Sequence, residues 1–174
     1  WPIGRCAGSM CISLMEESST PSLISNEADV MRYLRCAVQN TGTSGSSRTK
    51  WSSMDKMERS CVQAVLTERI SRGEEEMSKK SNKEAEKTLK FFSDALYMLG
   101  KLKANPKYLD SSFLDEMWDY FHLCHPATLN KYIGKILYSV ASMGIKWNCI
   151  PPKTRKIFVS SITFQLRVMN ELAV

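Results

Sequence analysis

Between Tyr120 and Asn170 the chain contains no aspartate or glutamate. The same stretch carries Lys131, Lys135, Lys146, Lys153, Arg155, Lys156 and Arg167. Such a run reads either as a solvated helical face or, because solvated faces ordinarily mix both signs, as a surface for an anionic partner: nucleic acid, an acidic protein face or an anionic membrane. Other absences narrow the class further. Glycine and proline are few, 8 and 6 in 174 residues, which argues against a turn-rich all-β chain and for helices. No apolar run approaches the roughly 18 residues that cross a bilayer. The chain has two histidines and no GxSxG, HExxH or Walker-type glycine loop, so the usual signatures of hydrolases, zinc peptidases and nucleotide hydrolases are missing. The expectation is a protein that is not an enzyme and uses no cofactor. Six cysteines (Cys6, Cys11, Cys36, Cys61, Cys124 and Cys149) show no disulfide-framework spacing, which points to free thiols in a reducing compartment. Trp1 rather than methionine stands first, which fits either a removed targeting segment or a piece of a longer chain.

What is present reads as helices. Residues 1–25 are rich in serine, with Gly4, Gly8, Pro2 and Pro21, and resemble an irregular arm. Residues 26–83 form a diverged helical pair. Its first helix, capped by Ser25 or Asn26, runs through Val30, Met31, Leu34 and Val38. A Gly/Ser/Thr linker spans Asn40 to Ser53. A second helix, capped by Ser53, carries Met54, Met57, Cys61, Val62, Val65, Leu66 and Ile70 on one stripe and stops at Gly73, where a charged connector begins.

The remainder divides into 84–125 and 126–174. Each part is a helical hairpin, and a shift of 41 residues overlays them. Phe92 falls on Ile133, Leu96-Tyr97 on Leu137-Tyr138, Leu99 on Val140, Gly100 on Ala141, Leu102 on Met143, Leu109 on Ile150, Met117 on Phe158 and Phe121 on Ile162. Helical pairs at a period near forty are the mark of an α-solenoid, in which each hairpin buries its apolar side on the next. The expected fold is therefore all-α: an α-solenoid-like array of hairpins with a repeat of about 41 residues and an irregular N-terminal arm.

The segment Leu137-Tyr138-Ser139-Val140-Ala141-Ser142-Met143-Gly144, followed by Trp147 and Ile150-Pro151, resembles the repeats of organellar RAP-domain, octotricopeptide and FASTK-type proteins. There a Leu-Tyr-Ser-Leu-Ala-Lys-Met-Gly-like helix end precedes an aromatic residue and a Leu-Pro pair. In the preceding unit the glycine is missing at Leu102-Lys103, and Leu109-Asp110 replaces the apolar-proline pair. The resemblance implies an organellar RNA binder, located in the mitochondrial matrix and built into a divergent mitochondrial ribosome beside other ribonucleoprotein subunits.

Lys and Arg neutralise phosphates, and exposed aromatics stack on unpaired bases. Lys87, Lys90, Lys131 and Lys135 fall on related helix faces of the two units. Lys146 neighbours Trp147, and Lys153, Arg155 and Lys156 open the last helix. These eight residues are the expected RNA contacts, with ribosomal RNA as the partner that the resemblance implies. Trp147 reads more readily as a lid over the hairpin core than as a stacking platform. His122-Leu-Cys-His125 with Cys149 or Cys36 has the elements of a zinc site, but histidines ending a helix are better read as caps of its C-terminus. Cys6 and Cys11 read as an ordinary thiol pair. Asp115 and Asp119 share a helix face with magnesium-ligand chemistry, although acids in a first turn are explained by the helix dipole. The expectation is no bound metal. A protein-scaffold subunit of an organellar membrane or respiratory assembly is the alternative function.

Overall fold

A computed structural model describes residues 24–39, 50–78 and 82–172. These form seven α-helices and no strand: α1 Glu27–Gln39, α2 Lys56–Ser78, α3 Asn82–Lys101, α4 Ser111–Leu123, α5 Pro126–Asn130, α6 Ile133–Ser142 and α7 Pro152–Leu172. The all-helical expectation holds. The arm up to residue 23, with Cys6 and Cys11, and linker residues 40–49 lie outside the described residues.

Helix starts follow the capping chemistry of the sequence, with two corrections. At α1 the Asn26 side chain accepts the Asp29 amide at 3.0 Å, as expected of an N-cap. At α2 the cap is Asp55, whose carboxylate accepts the amides of Met57 at 2.7 Å and Glu58 at 3.3 Å; Ser53, the expected cap, lies two residues earlier, at the end of a 3₁₀ turn. Nor does α2 stop at Gly73. The helix continues to Ser78, and Gly73 is buried, because a methyl group there would stand 2.7 Å from Thr88 Cγ2 and 3.0 Å from Tyr120 Cε2. Glycine at this place is a consequence of close packing among α2, α3 and α4.

The end of the linker is also held more firmly than its composition suggests. Trp51 is fully buried in a single 3₁₀ turn, Trp51–Ser53. Its amide donates to the Leu102 carbonyl at 2.8 Å and its indole Nε1 to the Tyr108 carbonyl at 3.2 Å. Arg59 donates to the carbonyls of Trp51 and Ser52 and lies over the Tyr108 ring.

The long helices pack in alternation. α1 lies on α3, and α3 lies on α6; α2 lies on α4, and α4 lies on α7. Phe92 of α3 meets Phe113, Tyr120 and Phe121 of α4, and Phe121 meets Phe158 of α7 at 5.6 Å between centroids. The third long apolar segment is interrupted into α5 and α6 between Asn130 and Ile133, where the sequence suggested one continuous helix.

The same local geometry recurs before α2, α4 and α7. A 3₁₀ turn begins at Trp51, Pro106 or Trp147, five residues before the helix that follows. Within each turn the closing amide bonds back to the first residue: Met54 to Trp51 at 3.3 Å, Leu109 to Pro106 at 3.0 Å, Ile150 to Trp147 at 3.2 Å. The ends of α3 and α6 match as well. Ala104 donates to Leu99 and Lys103 to Gly100; 41 residues on, Ile145 donates to Val140 and Gly144 to Ala141. This paired bonding closes a helix through a residue with positive φ. That residue is Lys103 at φ 54° in one case and Gly144 at φ 82° in the other.

Candidate nucleic-acid interface

α3 and α6 run side by side in the register of the 41-residue shift. Lys135 Nζ pairs with Asp94 Oδ1 at 2.5 Å, the Tyr97 and Tyr138 rings lie 5.6 Å apart, and Gly100 faces the backbone of Ser139. A parallel arrangement follows, so the loops after α3 and α6 lie at one end of the molecule. We call this end the tips and the opposite end the base.

The eight expected contact residues divide between the two ends. Lys87, Lys90 and Lys131 stand toward the base, Lys135 lies on α6, and Lys146, Lys153, Arg155 and Lys156 gather at the tips. Lys131 and Lys146 flank α6, whose ten residues span about 15 Å at the helical rise. The structure does not bring the eight into one patch.

Charge compensation separates them further. Lys87 pairs with Glu84 at 2.5 Å, Lys131 with Glu86 at 2.8 Å and Lys135 with Asp94 at 2.5 Å. The Glu86 carboxylate holds the Lys131 ammonium above its ordinary pKa. Much of the basic stripe expected along α3 and α6 is therefore neutralised by acids of α3. Lys90, Lys146, Lys153 and Lys156 are exposed and form no ion pair among the described residues, whereas the Arg155 Nε is buried without a hydrogen-bond partner.

The tips add residues that sequence reasoning passed over. Lys101 Nζ lies 5.2 Å from the Tyr97 ring centroid and 5.6 Å from that of Tyr138, within cation–π range of both. The Tyr97 hydroxyl, then that of Tyr138, raises the Lys101 pKa; Ser142 and then Lys101 lower that of Tyr138. Lys103 adds positive potential at Tyr138, and Lys107 Nζ stands 5.3 Å from the Tyr108 ring. Tyr108, Tyr138 and Trp147 are 40%, 47% and 46% exposed, so aromatic surface alternates with ammonium groups along this end. Trp147 is not a closed lid. The signal was available in the overlay itself: residues 41 apart lie side by side, so Tyr97 meets Tyr138, and Lys135 meets Asp94.

The other clusters have local explanations. His125 Nδ1 accepts the Ala127 amide at 3.3 Å, so it caps the start of α5 and not the end of α4 as expected. No group of three His, Cys, Asp or Glu side chains is placed to hold a metal ion among the described residues. Asp115 and Asp119 lie on exposed positions of α4; burial, followed by Asp119 and Glu116, raises the Glu74 pKa. No described helix is long and apolar enough to cross a membrane.

Comparison with protein-family models, curated proteins and solved structures returns no match.

Proposed function

We propose that this chain is a non-catalytic helical-repeat protein that binds RNA through its tips. The array has three stacked hairpins: α1–α2, α3–α4, and α5–α6 with α7. Support for the stacking is the recurrent 3₁₀ turn before α2, α4 and α7 together with the alternating packing of first on first and second on second helices. Units joined this way bury a continuous core and leave their loops on a common edge.

The observation that carries the RNA reading is the composition of that edge. Lys101, Lys103, Lys107, Lys146, Lys153 and Lys156 stand among Tyr108, Tyr138 and Trp147, while the stretch from Tyr120 to Asn170 supplies no acid. Ammonium groups neutralise phosphates, and the aromatic faces stack on unpaired bases in a sequence-tolerant way. The resemblance of Leu137–Gly144, Trp147 and Ile150-Pro151 to organellar repeat proteins favours a mitochondrial ribonucleoprotein, with ribosomal RNA as the ligand.

A salt titration tests the reading. The logarithm of the affinity for structured RNA should fall linearly with the logarithm of salt concentration. Lys146→Glu with Lys153→Glu and Lys156→Glu should flatten that slope, whereas Lys131→Glu with Lys135→Glu should leave it nearly unchanged. An affinity independent of salt removes the phosphate-contact model. The internal pairing of Lys87, Lys131 and Lys135 favours the second reading, a protein scaffold in an organellar assembly; incorporation that survives all five reversals is its expected result.

A further inference from the structure

Lys101, the last residue of α3, is held differently from the lysines around it. Lys87, Lys131 and Lys135 each pair with a carboxylate. Lys101 is exposed and forms no ion pair among the described residues. Its ammonium instead hydrogen-bonds two phenols, Tyr97 one turn back on α3 and Tyr138 on α6. Nζ lies 5.2 Å and 5.6 Å from the two ring centroids, where an ammonium bonded to the hydroxyls also feels the rings. The rings themselves are 5.6 Å apart and span the seam between the two helices.

The protons of this cluster are all donors looking for an acceptor. An ammonium has three N–H groups and a phenol one O–H. Two N–H groups of Lys101 go to phenol oxygens, which leaves one. Each phenol accepts from Lys101, so its own proton turns away from Nζ. Ser142, then Lys101, lower the Tyr138 pKa, as groups that donate to its oxygen do. Lys103 adds a second positive charge beside Tyr138. On the other side Lys135 stands 5.8 Å from the Tyr97 ring, with Asp94 as its own partner. The seam therefore presents one N–H and two O–H donors in a positive field. Base edges mix donors with acceptors, whereas the free oxygens of a phosphodiester only accept. We infer that Tyr97, Lys101 and Tyr138 form a seat for one backbone phosphate of the RNA, held across the seam between α3 and α6. The two phenols donate to the phosphate oxygens, and the remaining Lys101 N–H donates between them. Tyr138 then acts through its hydroxyl, because Tyr97 and Lys101 already engage its ring; base stacking is left to rings such as Trp147. This inference rests on the RNA reading above and narrows it.

Fluorescence anisotropy with an oligouridylate of about twelve nucleotides, an unpaired strand within the usual site size, tests it. Tyr97→Phe with Tyr138→Phe keeps both rings and every charge and removes only the two hydroxyls. Affinity should fall at least about tenfold, the loss expected when hydrogen bonds to a charged group are removed, while thermal unfolding stays that of the parent. Lys101→Gln should flatten the slope of log affinity against log salt by about 0.7, the share of one phosphate on a single strand. In the parent, the ring-carbon NMR signals that carry the Tyr97 and Tyr138 hydroxyls should move as the strand is added. They should stay in place when a methylphosphonate strand, which has no backbone charge, is added instead. Unchanged affinity in the double phenylalanine protein overturns the seat and leaves the RNA reading standing, because the other tip lysines still set the salt slope. A slope unmoved by Lys101→Gln overturns it as well, and so does a parent that does not bind the strand. The salt titration on structured RNA decides the wider reading separately.

Discussion

Gly73 and Gly134 are both helical, yet they have opposite surroundings. A methyl group on Gly73 runs into Thr88 and Tyr120, while Gly134 is exposed with nothing within 4 Å of the added carbon. Overpacking costs about 1–3 kcal/mol, and alanine gains about 1 kcal/mol of helix propensity over glycine. Gly73→Ala should therefore lose up to about 2 kcal/mol, and Gly134→Ala should gain about 0.5–1 kcal/mol. Urea unfolding of the two variants measures both signs, and a stabilised Gly73→Ala protein would remove the close-packing account. Buried protons give the second residue-scale expectation. Burial pushes the Cys124 thiol up to about 12. Burial, followed by the 2.6 Å bond that the Tyr33 hydroxyl donates to Glu58 Oε2, pushes the Tyr33 phenol well above its ordinary range. Both groups fold in their protonated form, so their contributions are complete below the unfolded values of about 8.5 and 10 and are lost as pH rises beyond them. The urea midpoint should begin to fall near pH 8.5 and fall faster past pH 10. Cys124→Ala should abolish the first decline and Tyr33→Phe should weaken the second; midpoints flat to pH 11 in the parent contradict both assignments.

At the scale of elements, the ends of α3 and α6 are the same motif closed by different residues. The amide-to-carbonyl pairs are identical under the 41-residue shift, and both need a positive φ at the closing residue. Glycine adopts it freely at 144, whereas a side chain at 103 costs about 1 kcal/mol. Lys103→Gly should thus raise stability by up to about 1 kcal/mol, with Gly144→Lys lowering it, as thermal melts can record. On the proposed function, Lys103→Gly also removes one tip cation, and RNA affinity should then fall while stability rises. The overlay made this motif legible, because apolar positions recur wherever hairpins bury the same sides. It showed a lysine where the other unit has glycine, but not that Lys103 would adopt the glycine's positive φ, because the fold imposes that φ regardless of local preference. Gly73 misled for a related reason: a glycine before a charged run resembles a terminator, and only the neighbouring helices explain it. Trp51 was obscured by the Gly/Ser/Thr residues before it, since its binding place is formed by residues 102–108. The lysine stripe was legible as charge, but its neutralisation depended on Glu86 and Asp94 of the adjacent helix, which become neighbours only through the stacking register.

For the whole molecule, the arrangement of rings determines how damage spreads. Phe121 touches Phe92 of α3 at 5.7 Å and Phe158 of α7 at 5.6 Å between centroids, and it also meets Trp118 and Tyr120. It joins α4 to α3 on one side and to α7 on the other. Phe158 is equally buried, but among the described residues its one ring contact is with Phe121. Truncating a buried phenylalanine to alanine costs about 3–5 kcal/mol at either place. The distribution of that loss should differ, because stacked units depend mainly on their neighbours. Phe158→Ala removes the attachment of α7, so amide hydrogen exchange should accelerate in α5, α6 and α7 while α1 to α4 keep most of their protection. Phe121→Ala cuts the middle of the chain of rings, so exchange should accelerate from α3 through α7. The two proteins would then have similar unfolding midpoints but distinct exchange maps. Equal acceleration throughout in both variants would indicate a single undivided core, leaving the 41-residue repeat as a feature of local geometry without energetic boundaries between hairpins.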